Sequence, residues 1–193
     1  GVLYSTLFDS AEDVNTRNNT GLGSHQYTAF NKVLFSGSDS VVNGRFSFTA
    51  PVPMDISYSD EQGLLSFFAV DSSFLRSAQG RYENFTVGGT AQDVVNDGIG
   101  PDIKLYLNDP SFVDGDEVNS TPCLWVELYD ENGINTVGTG VGHDITAMID
   151  NSPHHTYNLN SMFVPEVGDY KRGKIMLPLN RLEPGEHTLV LRA

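Results

Sequence analysis

The feature that most constrains this chain is the alternation of apolar and polar residues, which has a period of two along nearly the whole sequence. Successive side chains of a β-strand point to opposite faces, so this spacing predicts strands that bury one face. No window shows a sustained apolar stripe at helical spacing. The strand-like segments are rich in aromatic and β-branched residues and are separated by turn-forming ones. The sequence therefore predicts an all-β fold.

We expect two tandem antiparallel β-sandwich modules of the immunoglobulin-like kind. A length of 193 residues suits two β domains of ordinary size. Strand patterns fill both halves and are interrupted by the glycine-rich stretch 87–101, which has few large apolar side chains. The predicted boundary gives a first module over 1–92, which we expect to begin partway through its fold, and a second module over 93–193.

Local patterns in the first module predict four further features. The stretch between Phe8 and Tyr27 is polar and rich in Asn and Gly, which favours a long exposed loop. Asn43-Gly44 is a typical hairpin-turn dipeptide. Segment 74–80, FLRSAQG, is predicted to contain a short helical turn, and GRFSFTAPV and GLLSFFAV are predicted to be strands.

Net charge argues against two classes of partner, and the lack of a long apolar run argues against a membrane span. The chain carries 25 acidic against 11 basic residues, a formal charge of −14, so its surface should repel nucleic acids and anionic lipids. It has no run of about 18 apolar residues, and we therefore predict no membrane span. The chain opens on Gly1 without a leader pattern, and we interpret it as a piece of a longer exported protein.

Nucleophilic catalysis has little support. Cys123 is the only cysteine, and His143 and His154 are the imidazoles that a thiol could use. The thiol lies in the strand pattern PCLWVEL, without the small-residue turn that would expose a nucleophile. A G-x-S-x-G motif is absent from the sequence. We predict that this chain is not an enzyme and has no catalytic residue.

A calcium site is the metal site that the sequence favours. Asp114, Asp116 and Glu117 lie in the loop FVDGDEV and could supply hard oxygen ligands, although their spacing differs from that of an EF-hand. Aspartate and glycine are also ordinary turn formers, so the alternative is a structural loop without a cofactor. Adjacent pairs such as His154-His155 point to opposite faces of a strand and do not chelate one ion there.

Partner or interdomain contact is predicted for Trp125 and Tyr106. In PCLWVELYD a dry core should exclude Glu127, so we expect Leu124, Val126 and Leu128 to point inward. The same alternation in DIKLYLN places Ile103, Leu105 and Leu107 inward. Trp125 and Tyr106 are then on outer faces, where a ring covers the other module, meets a partner or stays partly wet.

The order of several segments resembles a known family. GRFSFTAPVPMDISYSDEQGLLSFFAVD is followed by AQGRYENFTVGG, NDGIGPDIKLYLND, LYDENGINTVGTGVGHDITAMID and LEPGEHTLVLRA. This series resembles the region downstream of the catalytic domain in PorU-type proteins, the gingipain-like cysteine peptidases that serve as sortases of the type IX secretion system in Bacteroidetes. The resemblance covers the chain from about Val33 onward.

The resemblance implies a location, partners and a role. Such sortases act at the bacterial outer-membrane surface, remove the C-terminal sorting domain of cargo proteins and help to attach them to an anionic lipopolysaccharide. Their catalytic cysteine and histidine lie in an upstream caspase-like domain whose motifs are absent here. The implied role is a non-catalytic scaffold and interaction region that supports this catalytic domain and contacts outer-membrane secretion components or cargo. The alternative is a calcium-stabilised adhesin-like or carbohydrate-binding sandwich tandem.

Overall fold

The computed structural model describes residues 1–54, 56–91, 98–137 and 144–193. Its regular structure is almost entirely antiparallel β-strand, which confirms the predicted all-β fold. The chain divides into two compact units, unit 1 (Gly1–Val94) and unit 2 (Val95–Ala193). The predicted boundary between residues 92 and 93 lies outside the described residues and stays a prediction.

Unit 1 is built around one four-stranded sheet. The strands of this unit are β1 (Val2–Phe8), β2 (Glu12–Asn15), β3 (Gln26–Ala29), β4 (Val33–Ser40), β5 (Glu61–Gln62), β6 (Leu64–Val70), β7 (Ser77–Tyr82) and β8 (Thr86–Val87). The sheet has the order β4-β1-β6-β7, and every neighbouring pair is antiparallel. The pairs β2-β3 and β5-β8 form two separate ribbons.

The inner face of this sheet is covered partly by an irregular segment. Leu3 and Leu7 of β1 are buried on this face, as their alternation predicts. The prediction of a strand in GRFSFTAPV is wrong, because residues 46–53 have no strand partner in the described structure. Its Phe46 and Phe48 rings instead lie 5.5 Å from the ring of Phe67, measured between centroids. The segment therefore brings its rings to the sheet without the hydrogen-bonded strand pairing that was predicted.

Two loop predictions for unit 1 are also corrected, and one turn is confirmed. The stretch after Phe8 contains the exposed β2-β3 hairpin, a two-stranded ribbon that lacks a buried face and hence lacks apolar alternation. Segment 74–80 forms a turn and the start of β7, without a helical turn. Asn43 and Gly44 have φ values of 52° and 73°, the left-handed values that a tight hairpin turn requires.

A buried polar cluster fastens the end of β1 to two distant segments. The Asp9 carboxylate accepts hydrogen bonds from the backbone N–H of Ser10 and from both the N–H and the hydroxyl of Ser57. It also forms an ion pair with Lys32 at 3.2 Å. Burial alone would raise the pKa of Asp9, but these hydrogen bonds outweigh it and lower the pKa. Asp9 is thus held as a carboxylate and acts as a structural anchor.

Unit 2 is a sandwich of two sheets. Its strands are β9 (Asp102–Leu107), β10 (Cys123–Tyr129), β11 (Thr146–Ile149), β12 (Thr156–Asn158), β13 (Val164–Glu166), β14 (Asp169–Pro178) and β15 (Leu189–Arg192). One sheet has the order β13-β14-β10-β9 and the other β12-β11-β15. Short 3-10 helices cover Pro153–His155 and Asn160–Met162.

The core of unit 2 confirms the predicted register of β10. Leu124, Val126 and Leu128 are fully buried and share one apolar cluster with residues of the opposite sheet, such as Ala147 and Ile149. Leu105 and Leu107 of β9 pack against this cluster. Ile103 was also predicted to be inward, but it is 41% exposed because it lies near the start of an edge strand, outside the cluster.

The last strand of the chain belongs to the second sheet of unit 2. β15 pairs with β11, and Leu189 and Leu191 pack against the core while Val190 is exposed. The preceding loop is fastened by Asp150, whose carboxylate accepts hydrogen bonds from the Thr188 N–H and contacts the His187 ring. Ala193 directly follows a sheet strand.

Candidate functional site

Trp125 and Tyr106 lie together on the outer face of the β13-β14-β10-β9 sheet, as predicted. They are directly opposite each other in adjacent strands, and Met176 of β14 lies opposite Trp125 on its other side. The indole N–H of Trp125 is buried and has no hydrogen-bond partner within the described part of the chain. The position of the two rings therefore matches the prediction, while their role in partner contact stays a prediction.

Charged side chains surround this row of rings. Glu127 lies opposite both Lys104 and Lys174, and Tyr129 lies opposite Asp102 and Arg172. Five of the nine residues on this part of the face are charged: Asp102, Lys104, Glu127, Arg172 and Lys174. A face of this composition is that of an ordinary solvated sheet with a small aromatic row.

A charge network lies at the end of the same sheet. The Tyr129 hydroxyl donates a hydrogen bond to Glu131, and Lys171 pairs with Glu131 at 2.6 Å. The Arg172 guanidinium lies 4.5 Å from the centroid of the Tyr129 ring. The hydrogen bond with Glu131 raises the pKa of Tyr129, and the one from Lys171 lowers the pKa of Glu131. Both directions favour the usual forms, a neutral Tyr129 and an ionised Glu131, so this hydrogen-bonded pair stabilises the surface.

The predicted calcium ligands fall in one surface loop but do not converge on one point. Asp116 and Glu117 line an open depression of about 270 Å³ together with Asp109, whereas Asp114 is not part of its wall. The carboxylate of Asp116 accepts a hydrogen bond from the Val113 N–H, and that of Asp109 accepts one from Ser111. Both carboxylates therefore already have a role in forming turns.

No group of three or more His, Cys, Asp or Glu side chains that could hold a metal ion occurs in residues 1–54, 56–91, 98–137 and 144–193. Calcium binding by Asp114, Asp116 and Glu117 thus stays a prediction, to be tested by titration.

The Cys123 thiol shows no catalytic arrangement among the described residues. It is half-buried at the start of β10, and its contact is a weak hydrogen bond of 3.7 Å to the carbonyl of Leu124. His154 lies in a 3-10 helix and has no hydrogen bond to this thiol. His143 lies outside the described residues. The described geometry offers no base to activate the sulfur.

His187 is a histidine that the sequence did not single out. Its Nδ1 lies 2.8 Å from an Asp150 carboxylate oxygen, and its Nε2 lies 2.7 Å from the Glu183 carbonyl oxygen. Because both partners are acceptors, the protonated ring is the form that donates both hydrogen bonds. The Glu183 carbonyl and then Asp150 raise the pKa of His187. This ion pair fastens the loop before β15.

The outer face of the unit 1 sheet is the feature that sequence reasoning missed. Strand pairing brings together fourteen side chains from β1, β4, β6 and β7: Val2, Tyr4, Thr6, Phe8, Ser36, Ser38, Ser40, Leu64, Ser66, Phe68, Val70, Ser77, Gln79 and Arg81. We call this set the neutral face. None of the fourteen is acidic, and Arg81 is the one charged member.

The rings of Tyr4 and Phe68 are stacked near the middle of the neutral face, with centroids 6.3 Å apart. These side chains are 48% and 42% exposed. None of the fourteen residues is buried. A face that has exposed aromatic rings and no acidic residue is unexpected in a chain of charge −14.

The chain matches no protein-family model and no curated protein. Among solved structures it is similar to dimeric latent PorU from Porphyromonas gingivalis, with 34% sequence identity and a TM-score of 0.50. The match covers 99% of this chain and 18% of the PorU chain. This chain is therefore similar, over its whole length, to one region of a much longer protein.

Proposed function

We propose that this chain is a non-catalytic scaffold and interaction region of a cell-surface, sortase-like cysteine peptidase of the type IX secretion system. The observation that carries the proposal is the similarity to PorU at 34% identity over 99% of the chain. Since the match spans 18% of PorU, a catalytic domain has ample room elsewhere in a protein of that kind. In this proposal the catalytic cysteine and histidine belong to that other domain.

The described geometry agrees with a structural role. Unit 2 has a closed apolar core between two sheets, which suits a rigid support. The chain has one thiol, which is half-buried in a strand without a neighbouring base among the described residues. No helix in the described parts of the chain is long and apolar enough to cross a membrane. The proposed location is the outer-membrane surface, where the region contacts secretion components or cargo.

The complete gene provides the first test, since it should encode a cysteine-peptidase domain outside these residues. The second test compares the full-length protein with the isolated chain on a cargo protein that carries its C-terminal sorting domain. We expect cleavage by the full-length protein, no cleavage by the isolated chain and no effect of Cys123→Ala on either. Thiol-dependent cleavage by the isolated chain that disappears in Cys123→Ala would contradict the proposal.

A calcium-stabilised adhesin-like or carbohydrate-binding tandem is the competing proposal. It is favoured by the depression that Asp109, Asp116 and Glu117 share. A calcium site filled at a hundred times its dissociation constant would stabilise unit 2 by about 2.7 kcal/mol. A chelator-reversible rise in melting temperature that Asp116→Asn abolishes would support this alternative. An unchanged melting temperature in millimolar calcium, with no glycan binding, would leave the scaffold proposal in place.

A further inference from the structure

We infer that the neutral face of unit 1 is a docking surface for another domain of the same polypeptide, outside residues 1–193. The inference rests on the proposed function, because it takes this chain to be one region of a longer protein. It goes further by identifying the surface that meets the rest of that protein and the chemistry of its partner.

Charge distribution is the first argument. The chain carries 25 acidic residues, yet none of the fourteen side chains of the neutral face is acidic. Interface centres are typically depleted of Asp, Glu, Lys and Ser and enriched in Tyr, Phe and Arg. The neutral face agrees in its lack of Asp, Glu and Lys and in its exposed rings, while its five serines form a polar surround to those rings. The corresponding face of unit 2 offers an internal comparison, because it carries the charged residues Asp102, Lys104, Glu127, Arg172 and Lys174. The absence of acidic residues is therefore a property of the neutral face and not of unit 1 or of the chain.

Exposed aromatic area is the second argument. Every exposed Phe or Tyr side chain among the described residues belongs to unit 1, including Tyr4 and Phe68 on the neutral face. Large aromatic rings contribute most of the binding free energy when they become buried at an interface. Two stacked rings in the middle of a sheet face without acidic residues form a preorganised centre for such an interface.

The loop that joins β6 to β7 adds a third observation at one end of this sheet. Phe74 and Leu75 are 76% and 85% exposed. The Asp71 carboxylate accepts hydrogen bonds from the Ser73 hydroxyl and the Leu75 N–H, which fixes the loop. Phe74 has a φ of +57°, a strained value for a bulky residue. The hydrogen bonds of Asp71 thus fix a loop conformation in which the side chains of Phe74 and Leu75 are exposed to solvent.

The area of the neutral face indicates which kind of partner docks on it. Four strands about 4.8 Å apart and about six residues long span a flat face of about 400 Å². Two independent proteins need about 800 Å² per partner for a stable complex, whereas domains of one chain form interfaces from about 600 Å² in total. A covalently linked domain also has a high effective concentration, so a small face suffices. These magnitudes favour a linked domain over a second copy of the chain.

The chemistry of the face defines its partner. The docked domain should present an apolar, flat surface to the Tyr4 and Phe68 rings. The hydroxyl groups of Ser36 and Ser38, which lie on the edge strand β4, require donors or acceptors at the edge of the contact. Arg81, which is paired with Glu83 in this chain, lies at the border where a carboxylate of the partner would reach it. A strongly acidic partner surface is not required.

The test measures thiol labelling in the isolated chain and in the full-length protein. Cys123→Ser provides the background, and Gln79→Cys places one thiol on the neutral face. Lys174→Cys on the outer face of unit 2 is the matched control, because both positions are exposed strand residues. The modified peptide is identified by mass spectrometry, so that other cysteines of the full-length protein do not interfere.

We expect Gln79→Cys to be labelled at least about tenfold more slowly in the full-length protein, with Lys174→Cys changed by less than about twofold. Equal labelling of Gln79→Cys in both proteins would overturn the inference. Slow labelling already in the dilute isolated chain would show that unit 2 covers the neutral face. Protection that rises with protein concentration would show that a second copy of the chain covers it. Either result also overturns the inference that a linked domain outside residues 1–193 docks on this face.

A second variant keeps the inference testable if cysteine substitution disturbs the fold. Ser38→Glu places an acidic group on the neutral face, while Lys174→Glu adds the same group to unit 2. We expect Ser38→Glu to lower the melting temperature of the full-length protein but not that of the isolated chain. A peptidase-free gene with a protected face would contradict only the proposed function. A peptidase gene with an unprotected face would contradict only the inference.

Discussion

The two units are both built of antiparallel β-sheets, but they bury their apolar side chains in different ways. Unit 2 buries its apolar residues between two sheets, and the side chains at its centre, such as Leu124, Val126 and Ile175, have no exposed area. Unit 1 has one four-stranded sheet, with an irregular segment covering part of its inner face. Its outer face has Arg81 as its one charged residue and carries exposed rings, whereas the outer face of unit 2 has several charged residues of both signs.

The difference teaches that similar strand patterns do not imply similar surfaces. Charged residues on an outer face keep a sheet solvated and prevent association, as in unit 2. An outer face without them remains available for docking, as in unit 1. We therefore assign rigidity to unit 2 and contact to unit 1. The following predictions test that division, from the largest expected effect to the smallest.

Leu124→Ala should lower the free energy of unfolding of unit 2 by about 3 kcal/mol, because it leaves a cavity in a fully packed core. Trp125 is the only tryptophan, so its fluorescence during denaturation reports unit 2. Phe68→Ala on the neutral face should cost about 1 kcal/mol in the isolated chain. Equal losses for the two variants would show that Phe68 is already buried in solution.

Asp9→Asn should destabilise unit 1 by about 2 kcal/mol, because Lys32 would lose its buried ion-pair partner. The pKa of Asp9 is lowered in the folded protein, so its contribution is present above the unfolded value and lost as pH falls through the folded pKa. Far-UV circular dichroism during acid titration measures this loss. Asp13→Asn, whose carboxylate bonds only with exposed side chains, is the control and should change little.

Trp125→Ala should destabilise unit 2 by about 2 kcal/mol, since a half-buried ring between Tyr106 and Met176 is removed. Trp125→Phe should cost less than about 1 kcal/mol, because it removes a buried N–H that has no partner in the described structure. Thermal unfolding followed by circular dichroism compares the variants. Unchanged stability in Trp125→Ala together with weaker binding to secretion components would assign the ring to a partner instead.

His187→Gln should have a small, pH-dependent effect on unit 2. The pKa of His187 is raised above 6.5 in the folded protein. Its stabilising contribution is therefore fully present below the unfolded pKa and is lost as pH rises through the folded pKa. Melting temperatures of the two proteins should differ at about pH 5.5 and converge at about pH 8.5. A constant difference across this range would exclude protonation of His187 as the cause.

Strand-level features could be predicted from the sequence wherever one face is buried. Alternation identified the inward residues of β10, and the Asn43-Gly44 dipeptide identified a turn. The physical reason is local: a strand that covers a core must place apolar residues at every second position. Where neither face is buried, as in the β2-β3 hairpin, the pattern disappears and the prediction failed.

Only the tertiary structure decided which strands became neighbours. The neutral face joins residues that are as far apart as Val2 and Arg81, and the Asp9 anchor reaches Ser57, 48 residues away. The alternation within β4 or β7 states which side chains share a face, but it carries no information about the order or register of pairing. Composition showed an acidic chain, while long-range pairing brought together fourteen side chains without an acidic group on one face of one sheet.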